Sequence, residues 1–300
     1  MGRTLLIGSP QTSWRDWHRH ERGRRDLLCL DPADPEHGHL ARVVLLQRDR
    51  PVFTRFYGSL DPQRAPHVLL TALARALPGL ADDAVVQLFA YRATPTLRQV
   101  VQLAAELIQP AEVLAPAGLG VPLAAKEIEL ERGFTPNVQQ AQRKAHWIKL
   151  REQSERHEVD LRGVAVQGAR LMSGEVVSED RRATVGLGEA LHVERQGSTL
   201  FVVAAYDPEE GEVVHALDSL ACSRAAFVHP EAYVGLLCSF ARGAGEDFGT
   251  GFIESVDWPT LRATVSADAV PPAPVQTLRL GSLRVDPNGN ELPELRPWQA

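Results

Sequence analysis

The sequence predicts an α/β domain, with helices flanking a mainly parallel sheet over residues 1–157, followed by a β-rich domain over residues 158–300. Three observations predict it. Apolar runs and helical patterns alternate through the first half. Those runs are almost continuously apolar, as in strands covered on both faces. From about residue 158 the pattern changes to short β-rich runs separated by Gly, Pro and Asp turns.

The elements follow in order. Thr4–Ile7 is a short apolar strand closed by Gly8-Ser9-Pro10, and residues 13–22 are polar with helical spacing. Asp26–Leu30 and Ala41–Leu46 are further strands. Pro66–Leu77 carries apolar residues at 68, 69, 72, 73, 76 and 77, a helical period closed by Pro78-Gly79. Ala84–Ala90 is a strand, Thr96–Ile108 an amphipathic helix and Val113–Ala115 a short strand. Residues 137–157 form a polar, basic helix. Beyond it, strands are expected at Val159–Val166, Leu191–Arg195, Leu200–Tyr206, Val213–Ala216, Tyr233–Ser239, Phe248–Val256, Thr260–Ser266 and Gln276–Val285, with the last dozen residues as a surface tail.

Composition excludes several classes. With 44% apolar and 23% charged residues, the chain is neither wholly disordered nor a coiled coil. A net charge of −6 excludes a uniformly basic nucleic-acid coat, so any phosphate contact must come from a local patch. No apolar run approaches the ~20 residues that span a bilayer. The opening MGRTLLIGSPQ reads as strand and turn rather than as a signal peptide. Three widely spaced cysteines, Cys29, Cys222 and Cys238, read as reduced residues of a cytoplasmic protein.

Two basic stretches carry aromatic residues. Trp14–Arg25 holds Arg15, Arg19, Arg22, Arg24 and Arg25 against Asp16 and Glu21, with Trp14 and Trp17 nearly one turn apart. Arginine for phosphate and indole for base stacking suit single-stranded nucleic acid. The alternative is that both indoles pack a helix on the sheet and the arginines form a solvated face. Residues 143–156 hold Arg143, Lys144, Lys149, Arg151 and Arg156 around Trp147, and a plain amphipathic linker helix is the alternative there. His18, His20, His37 and His39 have no zinc-type frame, so no metal site is assigned.

In order and spacing along nearly the whole chain, the sequence resembles the P-loop polynucleotide five-prime-hydroxyl kinases, which include pre-mRNA cleavage-factor and pre-rRNA processing members and archaeal relatives. Thr4–Gly8 sits at the P-loop strand, and Leu28–Gly38 (LCLDPADPEHG) at a run of the type LDxDPGQ. Phe53–Leu70 sits at an aromatic-glycine segment, Leu107–Leu114 (LIQPAEVL) at a strand entry, and Arg132–Arg156 at an arginine-rich lid. Gly163–Gly174, Phe248–Asp257 and Leu278–Asp286 match the C-terminal domain. The resemblance implies a P-loop-kinase-like fold that begins on the P-loop strand without the eukaryotic members' extra N-terminal domain. It also places Asp31 and Asp34 at metal-side and base-side acid positions, and Arg132, Arg143 and Lys144 near a transferring phosphoryl group.

The motif itself is degenerate. A P-loop needs glycine backbone to turn N–H groups onto phosphate, a Lys for the β/γ-phosphates and a hydroxyl for Mg²⁺. Laid on Gly8, GxxxxGK[ST] finds Ser13 for the second Gly, Trp14 for the Lys and Arg15 for the hydroxyl, and no Lys precedes Lys126. Pro10 also removes a backbone donor. Gly8, Ser13 and Arg15 are thus the remnant of a nucleotide site. The expectation is a catalytically silent homologue with no cofactor, binding single-stranded RNA or DNA through Arg19, Arg22, Arg24, Arg25, Arg132, Arg143 and Lys144, or assembling beside a processing enzyme. An ATP- and Mg²⁺-dependent kinase using Asp31 and Asp34, or a protein–protein module, are the alternatives.

Overall fold

The computed structural model describes residues 2–10, 12–14, 24–34, 39–130, 133–242, 247–269 and 275–295. The chain divides into two compact units, Met1–His146 and Trp147–Ala300. The division falls inside a helix rather than in a loop.

In the first unit the apolar runs become β1 (Thr4–Gly8), β2 (Leu27–Cys29), β3 (Arg42–Gln47), β4 (Arg50–Phe56), β5 (Val85–Ala90), β6 (Glu112–Ala115) and β7 (Lys126–Glu127). They form one sheet in the order β4-β3-β2-β5-β1-β6-β7. β2, β5, β1, β6 and β7 run parallel, and β3 and β4 add an antiparallel edge. The β3–β4 connection is tight because Arg48 and Asp49 both take positive φ, of 46° and 69°. That geometry matches the twist of the flanking strands.

Helices α1 (Pro66–Ala76) and α2 (Pro95–Ile108) start on prolines, which cost nothing where the first N–H groups have no helical partner. Thr94 caps α2 by accepting from the Leu97 N–H. Alternate side chains of β1 go to opposite faces. Leu5 and Ile7 pack with Leu69 and Leu73 of α1 and Leu97 and Val101 of α2, whereas Leu6 packs with Trp14, Val44 and Leu114. Helix α3 (Pro136–Glu152) follows.

The second unit holds two sheets. β8 (Glu155–Asp160), β9 (Ala165–Gln167), β14 (Leu236–Ala241), β15 (Asp247–Asp257), β16 (Arg262–Ala267), β17 (Thr277–Val285) and β18 (Glu291–Leu292) pair in the order β18-β17-β14-β15-β16-β8, with β9 beside β17. β10 (Glu175–Val176), β11 (His192–Gln196), β12 (Thr199–Val203) and β13 (Arg224–Val228) form the other, in that order. Short helices α4 (Glu179–Thr184) and α5 (Glu210–Ser219) complete the described elements. β12 and β13 are parallel and joined through α5, a βαβ unit inside the β-rich half.

Two expectations are corrected here. Val213–Ala216 is not a strand but the middle of α5. A reciprocal capping box between Glu209 and Glu212 starts the helix, and a run of four residues carries no period able to oppose it. The C-terminal dozen is not wholly a tail either: β18 pairs with β17, and Leu295 is buried with its N–H on the Ser282 carbonyl.

Two buried polar networks tie the second unit together. The fully buried Glu194 carboxylate accepts from the backbone N–H groups of Met172 (2.6 Å), Ser173 (3.0 Å) and Gly174 (2.9 Å), and meets His192 Nε2 at 2.6 Å. Burial opposes its ionisation, but the His192 contact and the backbone donors outweigh it and hold the carboxyl below its ordinary range. Elsewhere, buried Arg279 donates Nε to Asp247 at 2.5 Å and Nη1 to Gln167. Among the described residues, no helix is long and apolar enough to cross a membrane.

Candidate functional site

The carboxyl ends of the parallel strands are where an open α/β sheet presents backbone and loops to a ligand. Gly8 ends β1, Ala90 ends β5, and the chain leaving β2 carries Asp31 and Asp34. All three ends meet around Trp14.

Trp14 is 4% exposed, and its six-membered ring is in contact with Gly8. A Cβ on Gly8 would fall 2.6 Å from Trp14 Cη2 and closer still to Cζ2, so no other residue fits there without displacing the indole. The indole N–H donates to the Asp31 carboxyl, which also accepts from the backbone N–H groups of Ala33, at 3.0 Å, and Ala90. The turn between β1 and Trp14 closes on itself. The Ser9 N–H donates to Thr12 Oγ1 at 2.9 Å, the Thr12 N–H donates to the Ser9 carbonyl at 3.0 Å, and Pro10 has no N–H. The Ser9 and Thr12 N–H groups are thus taken up within their own turn, and the Trp14 indole packs on Gly8.

Both acids are buried. Asp34 accepts from Gln87 Nε2 at 3.0 Å, and Gln87 lies on β5, the central neighbour of β2. Burial first, and then the proximity of Asp34, push the Asp31 carboxyl up to about 7, against the lowering effect of its hydrogen bonds. Burial likewise pushes the Cys29 thiol up, helped by both acids. Cys29 is therefore a protonated core residue rather than a nucleophile.

A cavity of about 190 Å³ opens above these groups. Its floor and walls include Ser13, Trp14, Asp31 and Asp34, and its far side is formed by Phe134, Gln142 and Arg143. The structure therefore brings together Gly8, Ser13, Asp31, Asp34 and Arg143 from the residues singled out in the sequence. Lys144, next to Arg143 on α3, is half-buried and does not line the cavity.

Other predicted residues go elsewhere. Arg25 precedes β2 and reaches Thr4 Oγ1 at 3.4 Å, at the end of the sheet opposite Gly8, with Arg24 exposed beside it. Arg15, Arg19, Arg22 and Arg132, like Trp17, His18, His20 and His37, lie outside the described residues. In the second unit, Trp147 is fully buried with its N–H on Glu291 Oε1 at 3.0 Å. Arg151 sits 4.1 Å over the Phe252 ring and donates to the Val285 carbonyl, and Arg156 pairs with Glu254. These groups hold the end of α3 on its own sheet. Among the described residues, no group of three His, Cys, Asp or Glu side chains is arranged to hold a metal.

Sequence reasoning missed Phe134, Gln142 and Arg92, which also line the cavity. Phe134 and Gln142 fall inside the lid stretch but are not among its basic residues, and Arg92 belongs to no motif. Their places depend on where the 116–135 segment lays α3 and on how β5 ends.

No protein-family model matches the chain, and no curated protein matches it in sequence. Its fold is similar to that of Clp1p, a member of the polynucleotide five-prime-hydroxyl kinase family, in two solved complexes. One shows an extended interface between Pcf11p and Clp1p and the structural basis for ATP loss in a Gly-to-Arg point mutant. It superimposes with a TM-score of 0.53 at 11% identity, over 94% of this chain and 75% of that one. The other, the wild-type Clp1p–Pcf11p complex, gives 0.55 at 10% identity, over 94% and 74%. The P-loop-kinase-like order read from the sequence is therefore borne out as a fold over almost the whole chain, at an identity that carries the architecture and not the activity.

Proposed function

We propose that the protein is a catalytically silent relative of the polynucleotide kinases that binds single-stranded nucleic acid, RNA in the first place, in the course of RNA processing. The observation that supports this reading best is the seating of Trp14 on Gly8 with its N–H on Asp31. The ammonium, the second glycine and the Mg²⁺ hydroxyl are all replaced in sequence, and the Ser9 and Thr12 N–H groups are taken up within their own turn. A magnesium–triphosphate does not fit these groups, and no phosphoryl-transfer step is assigned to Asp31 or Asp34. Polynucleotide binding is supported by the Arg92 and Arg143 side chains lining a cavity that also has aromatic walls. The free thiols of Cys29, Cys222 and Cys238 suit a cytoplasmic setting.

A second reading is assembly with a processing protein, favoured by the fact that the similar Clp1p structures were solved with Pcf11p bound.

Thermal melts with Mg²⁺ and ATP test the first part, because a ligand at about 100 times its Kd raises stability by about 2.7 kcal/mol. No shift at millimolar ATP is expected, and a clear shift sinks the silent reading. Oligonucleotide titrations across salt test the second, since each neutralised phosphate adds about 0.7 to the log–log slope for a single strand. A flat response leaves only the assembly reading.

A further inference from the structure

The cavity beside Trp14 has a chemistry of its own. At about 190 Å³ it is smaller than the ~300–1,000 Å³ of sites for drug-sized ligands. It exceeds the ~150 Å³ that accepts a benzene ring. One six-membered heterocycle with its substituents matches that volume, and a nucleoside triphosphate does not.

The walls are selective. Trp14 is an aromatic surface at the floor, and Phe134, 38% exposed, is one at the mouth. Between them the lining carries the acceptors of the Asp31 and Asp34 carboxyls and of Gln142, beside the hydroxyls of Ser9, Thr12 and Ser13. Gln142 Oε1 is buried and receives no hydrogen bond. A buried acceptor left in that state costs free energy until a donor reaches it. Arg92 and Arg143 also line the cavity and are suited to a phosphate.

We infer that this cavity seats a single cytosine base of a single-stranded polynucleotide, its exocyclic amino group donating to Gln142 and the acid pair and its backbone phosphate drawn to Arg92 and Arg143. Cytosine offers an amino donor beside a ring-nitrogen acceptor. Uracil, of nearly the same size, reverses that pattern with a carbonyl and a ring N–H, and would turn an acceptor onto acceptors. Asp31 adds to the match. With its carboxyl pushed up to about 7, it carries a proton in a good part of the population at neutral pH and can donate to the ring nitrogen. The second ring of a purine would have to extend past a cavity of this volume into its open mouth. The inference rests on the polynucleotide-binding reading above and adds to it the identity of the base.

Fluorescence anisotropy with the full chain and labelled oligocytidylate and oligouridylate of equal length provides the test. Oligocytidylate is expected to bind about tenfold more tightly, the effect of about 1.4 kcal/mol. Gln142→Leu and Phe134→Ala, both away from the sheet core, are each expected to abolish that ratio, Gln142→Leu by weakening oligocytidylate alone and Phe134→Ala by weakening both oligomers through the lost stacking surface. Equal affinity for the two oligomers in the wild-type chain overturns the base assignment and leaves polynucleotide binding standing. Absence of binding to either overturns both. A preference that survives both substitutions places the base elsewhere and also overturns the inference.

Discussion

Gly8 and Trp14 are fitted to each other: the indole occupies the volume that any side chain at position 8 would need. The glycine of a phosphate loop is kept small so that backbone can approach an anion. Here it is small because an aromatic ring lies on it. The glycine thus serves a packing contact with a side chain, and the ring in turn hydrogen-bonds the buried Asp31.

That contact is testable by a double-mutant cycle. Gly8→Ala forces the ring away and is expected to cost about 1–3 kcal/mol, as overpacking does. Trp14→Ala removes a buried indole and is expected to cost about 3–5 kcal/mol. In the Trp14→Ala background the Gly8→Ala cost should largely vanish, a coupling of about 1 kcal/mol or more. Urea melts of the four proteins measure it. Additive costs would show that the ring does not rest on Gly8.

Asp31 sets a pH dependence with a definite sign. Its carboxyl rises from an ordinary 3.8 to about 7 on folding, so between those values the folded chain binds more protons than the unfolded chain. Stability from this group is therefore full below about pH 4 and is lost as pH rises through 7. A shift of this size corresponds to a few kcal/mol, at about 1.4 kcal/mol per unit. Asp31→Asn is neutral at all these values. Chemical melts at pH 5 and pH 8 are expected to show a smaller loss for Asp31→Asn than for the wild type. Equal losses would mean that Asp31 is ionised throughout.

Glu194 has the opposite sign. Its folded carboxyl lies below the ordinary 4.5, so its contribution is present above that value and is lost as pH falls through the folded pKa. Glu194→Ala would leave the N–H groups of Met172, Ser173 and Gly174 without their acceptor, and the expected cost is about 3–5 kcal/mol, as for breaking a buried charged network. Hydrogen exchange at Met172, Ser173 and Gly174 should quicken selectively in Glu194→Gln. Unchanged exchange there would exclude the network as their protection.

Arg279 and Asp247 form a buried pair between β17 and β15. Arg279→Met alone removes the guanidinium from a buried carboxylate and should cost about 3–5 kcal/mol, whereas adding Asp247→Leu should recover much of it. Thermal melts of the single and double variants decide this, and a double variant no better than the single one would argue against a charge penalty.

Much of the fold was legible because strands and helices announce themselves by period. Leu5 and Ile7 against Leu6, and the spacing along Pro66–Leu77, are packing constraints written directly into the chain. β4 was not legible, because Arg50–Phe56 is an exposed edge with no apolar alternation and is made a strand by its turn at Arg48 and Asp49. α5 was not legible because its short apolar stretch fits either period and the capping box decides between them. For the site, the sequence marked Gly8, Asp31 and Asp34 by their order. It grouped Arg25 with Arg143 in one nucleic-acid-binding set, although β2 carries Arg25 and Asp31 to opposite ends of the sheet.

By itself the sequence determined that no GxxxxGK[ST] frame runs from Gly8 and where the core strands fall along the chain, since both depend on residue identity along the chain. Only the tertiary structure decided that Trp14 lies on Gly8 and bonds Asp31, that the two acids are buried together, and that Gln142 and Phe134 line a cavity of about 190 Å³ with them. These are relations between residues far apart in sequence. They arise when parallel strands end side by side, and burial, which no single residue carries, then sets the protonation of Asp31.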